Sequence, residues 1–151
     1  MNKEQKIRIV VREASWEELL VIHRLIPEFH EKIGEDFYKK RLENVHHLAL
    51  VAEVKGELIG FKVGYQHERL ETFYSWMGGV LPGFRKSGVA TALADYMEKW
   101  AKQNGFKQIF FKTRNRFPAM ISFGLGRGFR VIGVRQKGEV DDYRIVMLKE
   151  L

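Results

Sequence analysis

The sequence predicts a single mixed α/β (α+β) domain over residues 1–151, and three observations carry that expectation. Runs with period-two apolar alternation are interleaved with segments of helical period, in the order β-α-α-β-β-β-α-β-α-β-β. A chain of 151 residues can bury roughly 70% of its unfolded surface, so one core suffices without covalent staples. The 45% apolar and 30% charged residues are ordinary for a globular chain, and no repeat, low-complexity segment or linker interrupts them.

Each element has a local reason. Ile7, Ile9 and Val11 alternate with Arg8 and Arg12, the pattern of a half-buried strand. Ser15-Trp16-Glu17-Glu18 is a capping box opening a helix with Leu19, Ile22 and Ile26 on one face. Pro27 stops or kinks that helix. A short helix is expected over Asp36–Leu42, then strands over Leu48–Val54 and Leu58–Tyr65 joined by a tight Lys55-Gly56 turn. Thr72–Val80 reads as a further strand, with Gly78-Gly79 near its end. Glycine in a strand marks a bulge or a close backbone approach. Val89, Leu93, Met97, Trp100 and Ala101 share one face of a helix expected from Gly88 to Asn104. Gly105-Phe106 supplies the glycine and apolar contact that end it. A strand over Lys107–Thr113 and a short helix over Pro118–Leu125 follow, with Pro118 in the first turn. Phe129–Arg135 and Tyr143–Leu148 form an antiparallel pair around Lys137-Gly138.

Several chemistries are excluded or disfavoured. With no cysteine, there is no thiol catalysis, disulfide or cysteine-ligated zinc. His23, His30, His46, His47 and His67 show no metal-ligand spacing, so no metal is expected. No apolar run approaches a membrane span, and the polar start Met1–Lys6 lacks the apolar core of a signal peptide. A cytoplasmic protein with no membrane partner is the expectation. The net charge of +7 is uneven: residues 1–75 carry 12 basic against 13 acidic side chains, residues 76–151 carry 14 against 6. The C-terminal half should therefore attract anions, either nucleic acid or a polyphosphate ligand.

The most informative stretch is Val80-Leu81-Pro82-Gly83-Phe84-Arg85-Lys86-Ser87-Gly88-Val89-Ala90, which joins a strand to the longest helix. The first N–H groups of a helix have no intrahelical partner, and the macrodipole places partial positive charge there. Gly88 lets backbone approach a phosphate closely, while Arg85 and Lys86 add charge. A pyrophosphate would bind such a loop. The same residues also suit a plain strand-to-helix turn with a basic surface. The segment lacks the GxxxxGK[ST] of a P-loop. Gly124-Leu125-Gly126-Arg127-Gly128 follows a helix, not a strand, so it is no dinucleotide fingerprint.

Arg85-x-x-Gly88-x-Ala90, preceded by Val80-x-Pro82, resembles the acyl-CoA-binding motif of the GNAT N-acetyltransferases. The element order over residues 7–150, Asn115 before the short helix and Gly128-Phe129 after it are similar to that family as well. The resemblance implies a twisted, mostly antiparallel central sheet with helices on both faces and one splayed parallel strand pair, here Thr72–Val80 and Lys107–Thr113. It implies acetyl-CoA as co-substrate, with the pyrophosphate on the amides of Arg85, Lys86, Ser87, Gly88, Val89, Ala90 and Thr91. Val80 and Asn115 would join the cofactor site. It also implies direct acetyl transfer to an amine acceptor, a small molecule or a peptide, for which a base must take the amine's proton.

The chain departs from the family where that proton would go. Many members carry a glutamate on the strand corresponding to Thr72–Val80; here the nearest carboxylate is Glu71, and Tyr74 is the polar side chain available, with Ser75 beside it. The usual tyrosine acid, four residues before Gly128-Phe129, is replaced by Gly124. Tyr74 and Glu71 are the catalytic candidates, with Trp76 as packing or pocket wall; Tyr74 equally suits a packed sheet tyrosine. In the family the first two helices shape the acceptor site, which here holds Glu28, Phe29, His30, Glu31, Glu35 and Asp36. These acids would suit a cationic amine, and they also suit an ordinary solvated surface.

Two other readings compete. A basic nucleic-acid-binding module would use the cationic half with Phe61, Tyr65, Phe110 and Phe111, although Gly60–Tyr65 departs from the RNA-binding strand motif at Lys62 and Gly64. A non-catalytic acyl-CoA-binding fold is suggested by Gly124. No nucleic-acid partner is expected under the leading reading, and self-association as a homodimer stays open.

Overall fold

The computed structural model describes residues 8–29 and 31–151; Ile7 of the expected first strand and His30 lie outside them. The described residues carry seven strands in one sheet of order β1-β2-β3-β4-β5-β7-β6, mostly antiparallel, with β4 and β5 parallel. It divides into two compact units, the residues up to Gly64 with Met77–Met97, and Tyr65–Trp76 with Glu98–Leu151. Strands β3 (Glu57–Gln66) and β4 (Thr72–Val80) and helix α3 (Val89–Gln103) run from one unit into the other.

In the first unit, β1 (Val10–Glu13) pairs antiparallel with β2 (His47–Val54). Helix α1 (Trp16–Leu25) opens with the expected capping box: Ser15 Oγ accepts from the Glu18 amide at 3.2 Å, and Glu18 Oε1 accepts from the Ser15 amide at 3.0 Å. Arg12 ties the three elements, donating from Nη1 to Glu18 at 2.9 Å and from Nε to Glu53 at 3.3 Å. That guanidinium, with the Ser15 amide, lowers the Glu18 pKa to about 2. Helix α2 (Phe37–Leu42) buries Tyr38 and Leu42. On β3, Phe61 meets His23 and Tyr38, while the neighbouring Gly60 faces Val89 and Leu93 of α3. Adjacent strand residues point to opposite faces, so helices cover both faces of β3 here.

In the second unit, α3 ends as its Gly105-Phe106 signal predicts. Gly105 is left-handed at φ 87°, and the Phe106 amide donates to Ala101 O at 3.0 Å. Phe106 then packs on Phe73 at 5.0 Å between ring centroids. Strand β5 (Gln108–Arg114) pairs antiparallel with β7 (Arg144–Glu150), and helix α4 (Pro118–Gly126) lies on β5 and β7 through Gly124. Glu98 of α3, 9% exposed, accepts from Arg127 Nε at 2.9 Å and from Lys149 Nζ at 2.5 Å, fastening the helix to both. Strand β6 (Arg130–Arg135) sits at the sheet edge, with Val131, Ile132 and Val134 about half exposed and a register shift between Val131 and Gly133. Two 3-10 turns, Pro82–Phe84 and Val140–Asp142, have no counterpart in the sequence reading. Among the described residues no helix is long and apolar enough to cross a membrane.

Candidate active site

The loop after β4, where the sequence predicts an anion cradle, leads through a tight turn into α3. Pro82 starts the 3-10 turn, and the Phe84 amide closes it on Leu81 O at 2.9 Å. Lys86 then takes φ 62° and Gly88 φ 88°, both in the left-handed region. The first helical hydrogen bond of α3 runs from the Ala92 amide to Gly88 O at 3.0 Å. The N–H groups of Gly88, Val89, Ala90 and Thr91 are therefore the leading donors of the helix. A Cβ built on Gly88 or Gly83 meets nothing within 4 Å. The space beside Gly88, at the head of these amides, is open, so the residues fit a phosphate-bearing group. The Ser87 hydroxyl is turned inward and donates to Phe84 O.

Arg85 does not simply project into that space. Its Nε donates to Val80 O at 3.0 Å, and its Nη2 donates to Glu28 at 2.7 Å. Glu28 raises the guanidinium pKa further above its ordinary value. The glycines before the loop serve close approach. A Cβ on Gly79 would stand 2.7 Å from Ile26 Cδ1 and 3.3 Å from Phe29 Cε2, and one on Gly78 would stand 3.1 Å from Phe61 O. The end of α1 can lie on β4 only because Gly79 has no side chain.

In the second unit the parallel β4–β5 ladder pairs Thr72 with Gln108, Phe73 with Ile109 and Tyr74 with Phe110. Among the described residues the pairing ends there, although β4 continues to Val80 and β5 to Arg114. Tyr74 is thus the last paired residue before the strands part. Its ring stacks on Phe110 at 4.7 Å and meets Tyr65 edge-on at 5.5 Å, with Lys112 Nζ 5.5 Å above it. Trp76 adds a fourth ring, 5.8 Å from Tyr65. Glu71 lies in the turn before β4, left-handed at φ 69°, its carbonyl accepting from the Lys107 amide at 2.7 Å. Three residues of extended chain, about 10 Å, separate it from Tyr74. The Asn115 side chain donates to Val140 O at 2.9 Å and so holds the 3-10 turn before β7. The structure thus gathers Val80, Arg85, Lys86, Ser87, Gly88, Val89, Ala90 and Thr91 into one loop; Tyr74, Glu71 and Asn115 occupy three separate places in the other unit.

Three features escaped the sequence reading. The Glu28–Arg85 pair joins residues 57 positions apart, with no local signal. Gly124 is closed by packing, since a Cβ there would stand 2.8 Å from Phe111 Cζ and 3.1 Å from Met147 Cε. His23 is buried, with Nδ1 2.6 Å from the Tyr38 hydroxyl and its ring stacked on Phe29 at 4.6 Å. Burial lowers the His23 pKa and raises that of Tyr38. Among the described residues no three His, Cys, Asp or Glu side chains gather as a metal ion needs.

Known proteins share this architecture. An acetyltransferase of Pectobacterium atrosepticum is 36% identical over 84 residues, 55% of this chain and 57% of that protein. The chain spans a little over half the length of the curated relatives it matches. The ribosomal-protein-S18-alanine N-acetyltransferase of Escherichia coli superposes with a TM-score of 0.80 at 13% identity, over 95% of this chain and 94% of that one. An aminoglycoside 6'-N-acetyltransferase complexed with coenzyme A superposes with a TM-score of 0.76 at 17% identity, over 93% of this chain and 96% of that one. At such identities the two structures speak to the fold alone. The family assignment rests on the sequence model of the acetyltransferase (GNAT) family, which matches residues 12–129 and so spans the cradle, both parting strands and α4. This chain belongs to the GNAT acetyltransferase family.

Proposed function

We propose that the protein transfers an acetyl group from acetyl-CoA to a primary amine of a small molecule or peptide by direct attack. The observation that carries this is the run of leading α3 amides from Gly88 to Thr91, open beside Gly88, in a segment whose Arg85-x-x-Gly88-x-Ala90 resembles the family's cofactor motif. Acetyl-CoA, when bound, supplies an activated thioester carbonyl and a thiolate leaving group. The chain's own residues do the rest. The cradle amides, the α3 dipole and Lys86 hold the pyrophosphate. The β5-facing backbone of β4 beyond Tyr74, no longer laddered, offers hydrogen bonds to the amide-bearing arm. Orientation of the two reactants supplies up to about 7–11 kcal/mol of the barrier. In this reading the Tyr74 hydroxyl holds or relays the amine's proton, and its strand position at the last paired step of β4 supports the choice. Glu71 contributes only through water, given its position before the strand.

Gly124 favours a second reading, an acyl-CoA binder without turnover. The family's usual tyrosine acid has no room where Phe111 and Met147 pack against the helix. Thiol release from acetyl-CoA, measured across polyamines, amino acids, aminoglycosides and peptides, separates the two. Turnover on any class supports transfer. A melting shift with acetyl-CoA but no thiol release on any of them supports the binder, and no shift at millimolar acetyl-CoA overturns both.

A further inference from the structure

The arginine of the cofactor loop is held by the chain itself. Arg85 bridges Val80 O, at the end of β4, and the carboxylate of Glu28, in the turn that follows α1. Glu28 stands between the two contacts that this turn makes with β4, Ile26 and Phe29, both within 3.3 Å of a Cβ built on Gly79. The turn is closed by the Phe29 amide donating to Ile26 O at 3.2 Å. Four residues thus clamp one short segment against the strand that leads into the cradle. Both side chains of the ion pair are about half exposed. An exposed pair adds little to global stability. Its geometric effect is larger, because a planar guanidinium with two fixed contacts sets the direction of both partners. A guanidinium has five N–H donors, and these two contacts use two of them. An anion in the cradle can therefore engage Arg85 without displacing Glu28.

We propose that Glu28 is a positioning residue. Through Arg85 it ties the Ile26–Phe29 turn to the anion loop, so that occupancy of the loop fixes the wall these residues build over Gly79. This rests on the reading that the loop takes a coenzyme A pyrophosphate. The coupling is reciprocal: ligand on the cradle restrains Arg85, Arg85 restrains Glu28, and a fixed Ile26–Phe29 turn in return favours the ligand-bound loop.

The test is hydrogen exchange over Leu25–Phe29 in the full chain, with and without free coenzyme A, alongside calorimetric titration of the same ligand. In the wild type, coenzyme A should slow exchange in this segment at least about fivefold. In Glu28→Gln the slowing should fall below about twofold, while the Kd for coenzyme A stays within about threefold and Tm within about 4 °C. Glu28→Asp, which keeps the carboxylate, should restore part of the effect. Equal slowing in wild type and Glu28→Gln overturns the proposal, as does binding to the wild type with no slowing. Failure of the wild type to bind coenzyme A overturns the loop reading itself and is read separately in the titration.

Discussion

Gly88 allows the cradle to be tested with two substitutions that share a backbone cost and differ in chemistry. Its φ of 88° lies in the left-handed region, and a built Cβ meets no atom within 4 Å. A Cβ at this position therefore clashes with no atom of the protein, and left-handed strain costs each variant about 1–2 kcal/mol. For a chain of this size that lowers Tm by about 2–8 °C and leaves the protein folded. The binding effects diverge. Alanine places one methyl over the amides and should weaken acetyl-CoA about tenfold. Glutamate adds a unit negative charge beside the pyrophosphate. Two like charges about 4 Å apart repel by about 4 kcal/mol at an effective dielectric of 20. At about 1.4 kcal/mol per decade, that is roughly a thousandfold in Kd. Calorimetric titration of acetyl-CoA into both variants, after circular dichroism confirms the fold, measures this. A folded Gly88→Glu that binds within about threefold of the wild type would refute the assignment of the cradle.

The other predictions address the proton, the core and pH. Tyr74→Phe keeps the ring that stacks on Phe110 and removes only the hydroxyl, so kcat on the true acceptor should fall about 10²-fold with cofactor Kd within a few-fold; an unchanged pH–rate profile would move the base to the α1–α2 region, with Glu28 or Glu31 next. Glu98→Gln strips the partner from Arg127 and Lys149 in a largely buried trio and should cost about 3 kcal/mol by urea unfolding; a loss under about 1 kcal/mol would contradict the fastening role. Burial holds the His23 pKa below its ordinary value, so the unfolded chain takes up a proton first as pH falls. Tm should therefore decline as pH drops below about 6.5, and a flat profile from pH 7 to 5 would count against neutral His23. The Glu18 pKa is lowered from 4.5 to about 2, so its stabilisation is full above 4.5 and is lost as pH falls towards 2; Arg12→Gln should flatten the Tm profile in that window.

The readable parts of this chain are those decided within a few residues. Ser15 and Glu18 satisfy each other's amides three positions apart, and Gly105 ends α3 by its own φ, so both ends were legible. The span of β4, Thr72–Val80, matches the expected one at both ends, and most other boundaries differ by one or two residues; β1 differs more, since it begins at Val10 and leaves Arg8 and Ile9 of the expected strand outside it. Gly78-Gly79 promised a bulge or a close approach, and the structure shows the approach, of Ile26, Phe29 and Phe61. What could not be read depends on partners distant in sequence. Nothing near Glu28 announces Arg85, nothing near Gly124 announces Phe111 and Met147, and nothing near Glu98 announces Lys149. Tyr74 could be singled out as a polar residue on the Thr72–Val80 strand, but not as the last rung of the β4–β5 pairing.

The edge strand β6 also bears on how the molecule behaves in concentrated solution. Exposed aliphatic residues on an unpaired edge invite a second strand to extend the sheet. Here the extra residue between Val131 and Gly133 throws the backbone out of step, so an incoming strand could match its donors and acceptors on one side of Ile132 only. In a symmetric antiparallel pairing centred on Ile132 and Gly133, Arg130 of one copy would stand opposite Arg135 of the other, like charge against like. The same six residues that look adhesive by hydropathy thus resist zipping to their own kind, and runaway sheet growth from this edge is opposed by backbone spacing and by charge together.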